Sequence, residues 1–230
     1  MMNTISKIKN IQLIVFDLDN TLYDELLYFN QAFSEISKYI SLEFRLSYDE
    51  VSNKLKELIS IKGRSYHYLF NELLDYYGIS IEKHLSKLLD IYCSFSPKLE
   101  LYPGVLPLIK ELGKAYKLGI ITGGMMKAQK NKINSLDISK YFEHVLITQE
   151  IGANKPDSFP YSYLLNILKI KPDRSVYIGD NPFVDFIGAK TIGMPTIRVR
   201  VPEFSSVEVR SDFEADLVID NILEIEKLFL

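Results

Sequence analysis

The chain has 230 residues, enough for one large domain or for one domain carrying an insertion. Apolar residues make up 47% and charged residues 25%, the balance of an ordinary globular protein, and a net charge of −3 removes the electrostatic case for nucleic acid or an anionic membrane surface. A single cysteine, Cys93, excludes a disulfide within the chain, which fits a reducing cytoplasm, and its apolar helical setting reads as core. Met1 to Asn10 lacks the apolar centre of a signal peptide, and no apolar run reaches the about 18 residues needed to cross a bilayer.

In chain order, Leu13 to Phe16 is a continuous apolar run, suited to a strand buried on both faces of a parallel sheet. After Thr21 the period changes. Leu26, Phe29, Phe33, Ile36 and Ile40 recur at three- and four-residue steps, as do Val51, Leu55, Leu58 and Ile59, then Tyr66, Leu69, Phe70, Leu73 and Leu74. A fourth helix spans about 81–93. Residues 23–100 therefore read as an all-helical insertion able to bury a small core of its own, with Pro97 and Pro103-Gly104 at its exit. From Val105 the chain alternates. Helices are expected at 106–116, 125–136, 161–168 and 183–191, with a last helix at the C-terminus. Strands are expected at 117–122, 144–148, 175–178, 196–199 and 217–219. Such alternation predicts an α/β fold, a Rossmann-like parallel sheet with helices on both faces, formed by residues 1–22 and 101–230. Lys127, Lys130 and Lys132 read as the solvated face of a helix, and the three histidines are too scattered for a metal set.

Four strand ends carry chemistry. Asp17 and Asp19 follow the first strand, where open α/β sheets place their ligands. Two positions apart on an extended chain, they would point the same way, and two like charges so close call for a cation, most simply a divalent one with oxygen ligands. The segment Asp17-Leu18-Asp19-Asn20-Thr21 alone could also be a helix-capping turn. Thr122-Gly123-Gly124 offers a hydroxyl and exposed backbone N–H groups to an anion such as phosphate. Pro156 suits a first helical turn, which places Lys155 just before a helix, where its ammonium can neutralise phosphate oxygens and carboxylates. Asp180 ends another apolar strand, in Gly179-Asp180-Asn181-Pro182-Phe183-Val184-Asp185, and Asp185 is expected one turn into the next helix, facing back. Together these residues describe a Mg²⁺-bound phosphate pocket with a spare nucleophile.

Asp17-Leu18-Asp19-Asn20-Thr21-Leu22, Thr122, Lys155-Pro156-Asp157 and Gly179-Asp180 with Asp185, flanked by Gly188-Ala189-Lys190 and Gly193-Met194-Pro195, resemble the haloacid dehalogenase-like superfamily, in its phosphatase branch with a helical cap. The resemblance covers nearly the whole chain. It implies Asp17 as the nucleophile that becomes an aspartyl-phosphate, and Asp19 as the acid toward the leaving alkoxide and then the base toward water. It implies Thr122 and the Gly123 N–H on phosphate oxygens, and Lys155 bridging phosphate and Asp17. Mg²⁺ would be held by Asp17, Asp180 and the Asp19 carbonyl, with Asp185 and Asn181 in support. Dehalogenases of the superfamily lack an acid at the Asp19 position, because a halide leaves without a proton; Asp19 therefore favours phosphate esters over 2-haloacids. Gly123 stands where relatives often carry Asn.

The helical insertion is expected to close over the pocket, with Tyr23, Asp24, Gly63 and Arg64 as candidates for substrate contact and Arg64 placed to meet a second anionic group. The expected substrate is a small phosphorylated metabolite, and the protein a monomer or homodimer. Phosphonate hydrolysis and a non-catalytic phosphate-binding module are the other functions this residue set could serve.

Overall fold

The structure, a computed structural model, describes residues 10–63, 66–204 and 207–230. It divides into two compact units: the chain up to Glu25 with Leu99–Leu230, and Leu26–Lys98.

The first unit holds a six-stranded, all-parallel sheet: β1 (Leu13–Phe16), β2 (Lys117–Thr122), β3 (His144–Ile147), β4 (Ser175–Gly179), β5 (Thr196–Val199) and β6 (Leu217–Ile219), in the order β3-β2-β1-β4-β5-β6. Around it lie α5 (Val105–Leu112), α6 (Met126–Leu136), α7 (Phe159–Leu168), α8 (Ile187–Thr191) and α9 (Glu226–Phe229). The apolar run of β1 is explained by its place. Ile14 and Phe16 enter one core with Val105, Ile109, Ile133, Val176 and Ile178, while Leu13 and Val15 enter a second with Tyr161, Leu164, Tyr177 and Phe186. Alternate residues thus face opposite layers, as the pleat requires. The chain moves from β1 outward through β2 and β3, then returns to build β4 on the other side of β1. The resulting switch point lies at the carboxyl ends of β1, β2 and β4, where a crevice forms in such sheets.

The second unit is all-helical: α1 (Leu26–Phe44), α2 (Tyr48–Lys62), α3 (Leu69–Tyr76) and α4 (Ile81–Ser94). Its own core joins Phe29, Phe33, Ile36 and Ile40 of α1 to Val51, Leu55 and Leu58 of α2, Leu69, Phe70, Leu73 and Leu74 of α3 and Leu88 of α4. These are the stripes the sequence periodicity marks out. Ser47 caps α2, its hydroxyl accepting from the Glu50 N–H at 3.4 Å. Cys93 is buried. No helix among the described residues is long and apolar enough to cross a membrane.

The structure differs from the sequence expectation at several boundaries. Residues 23–25, expected in the insertion, group with the sheet; the Asn20 side chain accepts from the Glu25 N–H at 3.1 Å and holds this segment in a turn after β1. The helix expected over 183–191 covers only Ile187–Thr191. Residues 181–185 form a turn instead, in which the Asn181 carbonyl accepts from the N–H groups of Val184 and Asp185, and the Asn181 side chain accepts from Phe183 N–H at 3.0 Å. An Asx turn satisfies the backbone locally and so delays the helix. The helix after Lys155 starts at Phe159, with Pro160 in its first turn, so Lys155 and a cis Pro156 lie in the preceding loop.

Candidate active site

Asp17 directly follows β1 and extends its ladder by donating its N–H to the Ile178 carbonyl at 2.8 Å. Its side chain therefore meets that of Asp180, which follows β4. Oxygens of Asp17, Asp180 and Asp185 all lie within 4.8 Å of one another, and all three residues are buried. Lys155 reaches this cluster from its loop: Nζ donates to Asp17 Oδ1 at 2.5 Å, to Asp185 Oδ1 at 2.6 Å and to the Tyr177 hydroxyl at 3.0 Å.

Asp185 is the keystone of this group. One of its oxygens faces Lys155, and the other accepts the N–H groups of Asp180 at 3.2 Å and Asn181 at 2.9 Å. Its acceptor capacity is thus used inside the protein, which makes it a support for Lys155 and the Asp180 loop. The carboxylate lies against the backbone of Gly179, where a Cβ would sit 2.5 Å from Asp185 Oδ2. Gly188, on α8, is just as tightly placed: a Cβ there would be 2.4 Å from the Pro156 carbonyl oxygen, so its absence lets α8 press against the Lys155 loop.

Three carboxylates face one ammonium, so the cluster carries excess negative charge in a buried place. Burial first, and the neighbouring Asp185 and Asp19 charges next, push Asp17 up from 3.8 to about 7, although Lys155 pulls it down. Burial and the charges of Asp185 and Asp17 push Asp180 well above its ordinary value. Lys155 is raised: burial would lower it, but Asp17 and Asp185 overcome that. Among the described residues, Asp180 accepts one long hydrogen bond, from Thr21 Oγ1 at 3.5 Å, and makes no ion pair, although the nearby Lys155 charge pulls against its upward shift. A buried carboxylate with no ion pair of its own, beside a second carboxylate and a backbone turn, fits a small divalent ion with oxygen ligands.

Asp19 does not share this cluster. The ladder that follows β1 runs on only through the Asp17 N–H, so alternation no longer sets where Asp19 points. Its Oδ1 accepts from Lys132 Nζ at 2.7 Å and from the Tyr23 hydroxyl, and its Oδ2 accepts from Gln129 Nε2 at 2.8 Å. Burial would raise Asp19, but Lys132, then Tyr23 and Gln129, hold it below the usual carboxylate range. Lys132 also pairs with Glu25 at 3.1 Å and is 1% exposed. This corrects the reading of Lys132 as a solvated residue. Lys127 and Lys130 are the exposed members of that run, and Lys130 pairs with Glu150 at 2.8 Å. On α6 the buried positions are 128, 129, 132, 133 and 136, one inward stripe at helical spacing, and Lys132 lies on it. That spacing is the signal by which the sequence could have shown it.

Tyr23, expected to meet substrate, is instead fully buried with its hydroxyl on Asp19. Thr122 ends β2 beside β1 and is buried. Gly123 adjoins the Lys155 stem, since a Cβ there would be 3.9 Å from Lys155 Cε, and its carbonyl accepts from the Gln129 amide. That space is open. Tyr177 gave no functional signal in sequence because a residue within an apolar strand reads as core; its hydroxyl lies 3.2 Å from Asp185 Oδ1 as well as next to Lys155. Asn181 shapes its turn and offers its N–H to Asp185. Arg64 lies outside the described residues.

Over residues 14–199 the chain matches the sequence pattern of a family described as haloacid dehalogenase-like hydrolase. The chain belongs to this family of hydrolases. It is 30% identical over 222 residues to a glyceraldehyde 3-phosphate phosphatase of Methanopyrus kandleri, covering 94% of this chain and 95% of that protein. A glyceraldehyde 3-phosphate phosphatase of Pyrococcus abyssi is 31% identical over 81% of this chain and 80% of its own length. In fold the chain is similar to the crystal structure of a HAD phosphatase from Thermococcus onnurineus, with a TM-score of 0.68 and 24% identity over 95% of this chain and 97% of that one.

Proposed function

We propose that this hydrolase is a Mg²⁺-dependent phosphomonoesterase that works through a phosphorylated Asp17. The observation that carries the reading is the convergence of Asp17, Asp180 and Asp185 within 4.8 Å, with Lys155 bonded to Asp17. Lys155 takes one oxygen of Asp17 and leaves Oδ2 without a protein donor among the described residues, available to attack phosphorus. Asp17 and Asp180, with the Asp19 carbonyl, would hold Mg²⁺, which supplies positive charge to the phosphoryl oxygens when bound.

A carboxylate is a weak nucleophile, so the site must hold the phosphoryl group in line and neutralise its charge. Lys155, the Thr122 hydroxyl and the Gly123 N–H would do so from the protein side. As the P–O bond to the leaving group breaks and the Asp17–phosphorus bond forms, Asp19 gives the departing alkoxide a proton that it takes up once the anionic phosphate is bound beside it, since without substrate Lys132 and its other hydrogen-bond donors hold it ionised. Asp19, now ionised, then takes a proton from water, whose oxygen attacks phosphorus and frees Asp17 with release of phosphate. The acid at position 19 separates this chemistry from dehalogenation, where the leaving group needs no proton.

The substrate is a small phosphorylated metabolite. The relatives named for glyceraldehyde 3-phosphate, matched along almost their whole length, put three-carbon phosphate esters first in order of trial. The test is phosphate release from p-nitrophenyl phosphate and from a panel that includes glyceraldehyde 3-phosphate, phosphoserine and phosphoglycolate, with and without Mg²⁺. Turnover that requires Mg²⁺ and is lost by at least about 10³-fold in Asp17→Asn is expected. Unchanged turnover in Asp17→Asn removes the nucleophile; stabilisation by phosphate with no turnover on any ester leaves only a binding module.

A further inference from the structure

We infer that Lys132 is a positioning residue for the reaction: it fixes the direction of the Asp19 carboxylate, with Glu25 as its second anchor. The inference rests on the reading of Asp19 as the acid that protonates the leaving group.

Lys132 lies on the inward stripe of α6 with Ala128, Gln129, Ile133 and Leu136, a position where a charge is buried only if it is paired. Its stem is buried, and its ammonium spans two carboxylates from different parts of the turn after β1, Asp19 Oδ1 at 2.7 Å and Glu25 Oε1 at 3.1 Å. An ammonium is a point charge with three rotatable donors, so one acid partner alone would leave it free to swing. A second acid defines a line along which it is held. Asp19 is then gripped on both oxygens, by Lys132 and Tyr23 on Oδ1 and by Gln129 on Oδ2. Gln129 sits one turn before Lys132 on the same helix, and its amide also donates to the Gly123 carbonyl. One face of α6 therefore ties the Asp19 carboxylate to the backbone that adjoins the Lys155 stem.

The consequence is selective. Proton delivery to a leaving oxygen depends steeply on where the acid stands, and a misplacement of about 1 Å can cost about 10²-fold. Only substrates whose leaving group needs that proton should feel the loss. A structural role for Lys132 would instead slow every substrate alike.

The experiment compares kcat/KM for p-nitrophenyl phosphate, whose leaving group departs readily as the anion, with phenyl phosphate, whose phenol ionises near 10 as in tyrosine. Wild type, Asp19→Asn, Lys132→Met, Lys132→Arg and Glu25→Gln are measured with Mg²⁺, and thermal midpoints are recorded for each. Lys132→Met should lose about 10²-fold on phenyl phosphate and under about 5-fold on p-nitrophenyl phosphate, the sense expected of a displaced general acid. Lys132→Arg, which keeps the charge and the donors, should recover part of the difference. Glu25→Gln, which leaves Lys132 in place, should show a smaller loss of the same selectivity, and it carries the test alone if Lys132→Met does not fold. Equal losses on both esters in Lys132→Met and Glu25→Gln, beside a selective loss in Asp19→Asn, would overturn the role of Lys132. No selectivity in Asp19→Asn would remove the acid role of Asp19 while leaving phosphate release through Asp17 intact.

Discussion

Gly179 and Asp185 share a space that one methyl group would fill: a Cβ on Gly179 would stand 2.5 Å from Asp185 Oδ2. The same oxygen accepts the N–H groups of Asp180 and Asn181, so the glycine is what lets the carboxylate approach the end of β4. Gly179→Ala should therefore displace Asp185, and with it the Lys155 contact at 2.6 Å. Overpacking of this kind costs about 1–3 kcal/mol, which corresponds to a melting point lower by roughly 2–12 °C in a protein of this size. Turnover of p-nitrophenyl phosphate should fall with it, by at least about tenfold, because the same shift moves Lys155 from Asp17. A variant with unchanged melting point and turnover would show that the Asp185 carboxylate can sit elsewhere at no cost.

Asp185→Asn keeps the volume and tests the charge. Asp185 accepts on both oxygens, from Lys155 on one and from two backbone N–H groups on the other. Asparagine has one oxygen, so one set of donors must face an NH₂ group. A buried donor left unpaired costs about 1–3 kcal/mol, more where it is charged. Thermal denaturation should show this loss, together with a fall in kcat; a variant as stable as wild type would mean that Lys155 and the Asp180 turn do not depend on this carboxylate.

Stability without metal should depend on pH in a defined direction. Asp17 rises from 3.8 to about 7 on folding, and Asp180 moves the same way. An acid whose value is raised in the folded state favours folding below its unfolded value, and that contribution is lost as pH climbs toward the folded one. The melting point of the metal-free protein should fall between about pH 4 and 7. Asp19 is shifted downward and so acts at lower pH, outside this window. Mg²⁺ added at pH 7.5 should restore stability and release protons as it binds, since its ligands must be ionised. Asp17→Asn should flatten the profile. Differential scanning fluorimetry from pH 4.5 to 8, with EDTA or Mg²⁺, measures both effects; a metal-free melting point that rises over this range contradicts them.

Lys155→Met removes the ammonium that faces Asp17 and Asp185, leaving three mutually close carboxylates. Loss of a preorganised cation at a reacting group costs about 10²–10³-fold in kcat. The metal-free variant should also lose stability more steeply than wild type as pH rises, because the carboxylates that ionise have no lysine beside them. A parallel pH profile in the two proteins would mean that Lys155 contributes little to holding the cluster.

The strand ends were legible in sequence because their signal is local. A short apolar run followed by an acid states both a buried strand and a polar end, which holds for Asp17 after the four apolar residues of β1 and, with Gly179 between, for Asp180 after Val176, Tyr177 and Ile178 of β4. The stripes of α1 to α3 were legible for the same reason, since the period of an amphipathic helix is written in its own residues. Asp185 faces back to the end of β4 from a turn and not from a helix, because Asn181 can begin a helix or close a turn, and only the hydrogen bonds its carbonyl and side chain accept decide between them. Asp17 and Asp19 are close enough for the Asp19 charge to raise Asp17, yet their carboxylates take different lysines, Lys155 and Lys132, which their spacing of two residues does not reveal.

By itself the sequence determined the order of strands and helices, the helical character of the insertion and the residue types that end each strand. Which charges stand together was decided only in three dimensions. Lys155 meets Asp17 across 138 positions of chain and Lys132 meets Asp19 across 113, and neither pairing is implied by any local pattern. The reason is the sheet order. With β1 between β2 and β4, one lysine arrives from the loop after β3 and the other from the helix after β2, and each neutralises a different aspartate of the same short segment. Charge interactions fall off with distance and burial, and both are properties of that packing.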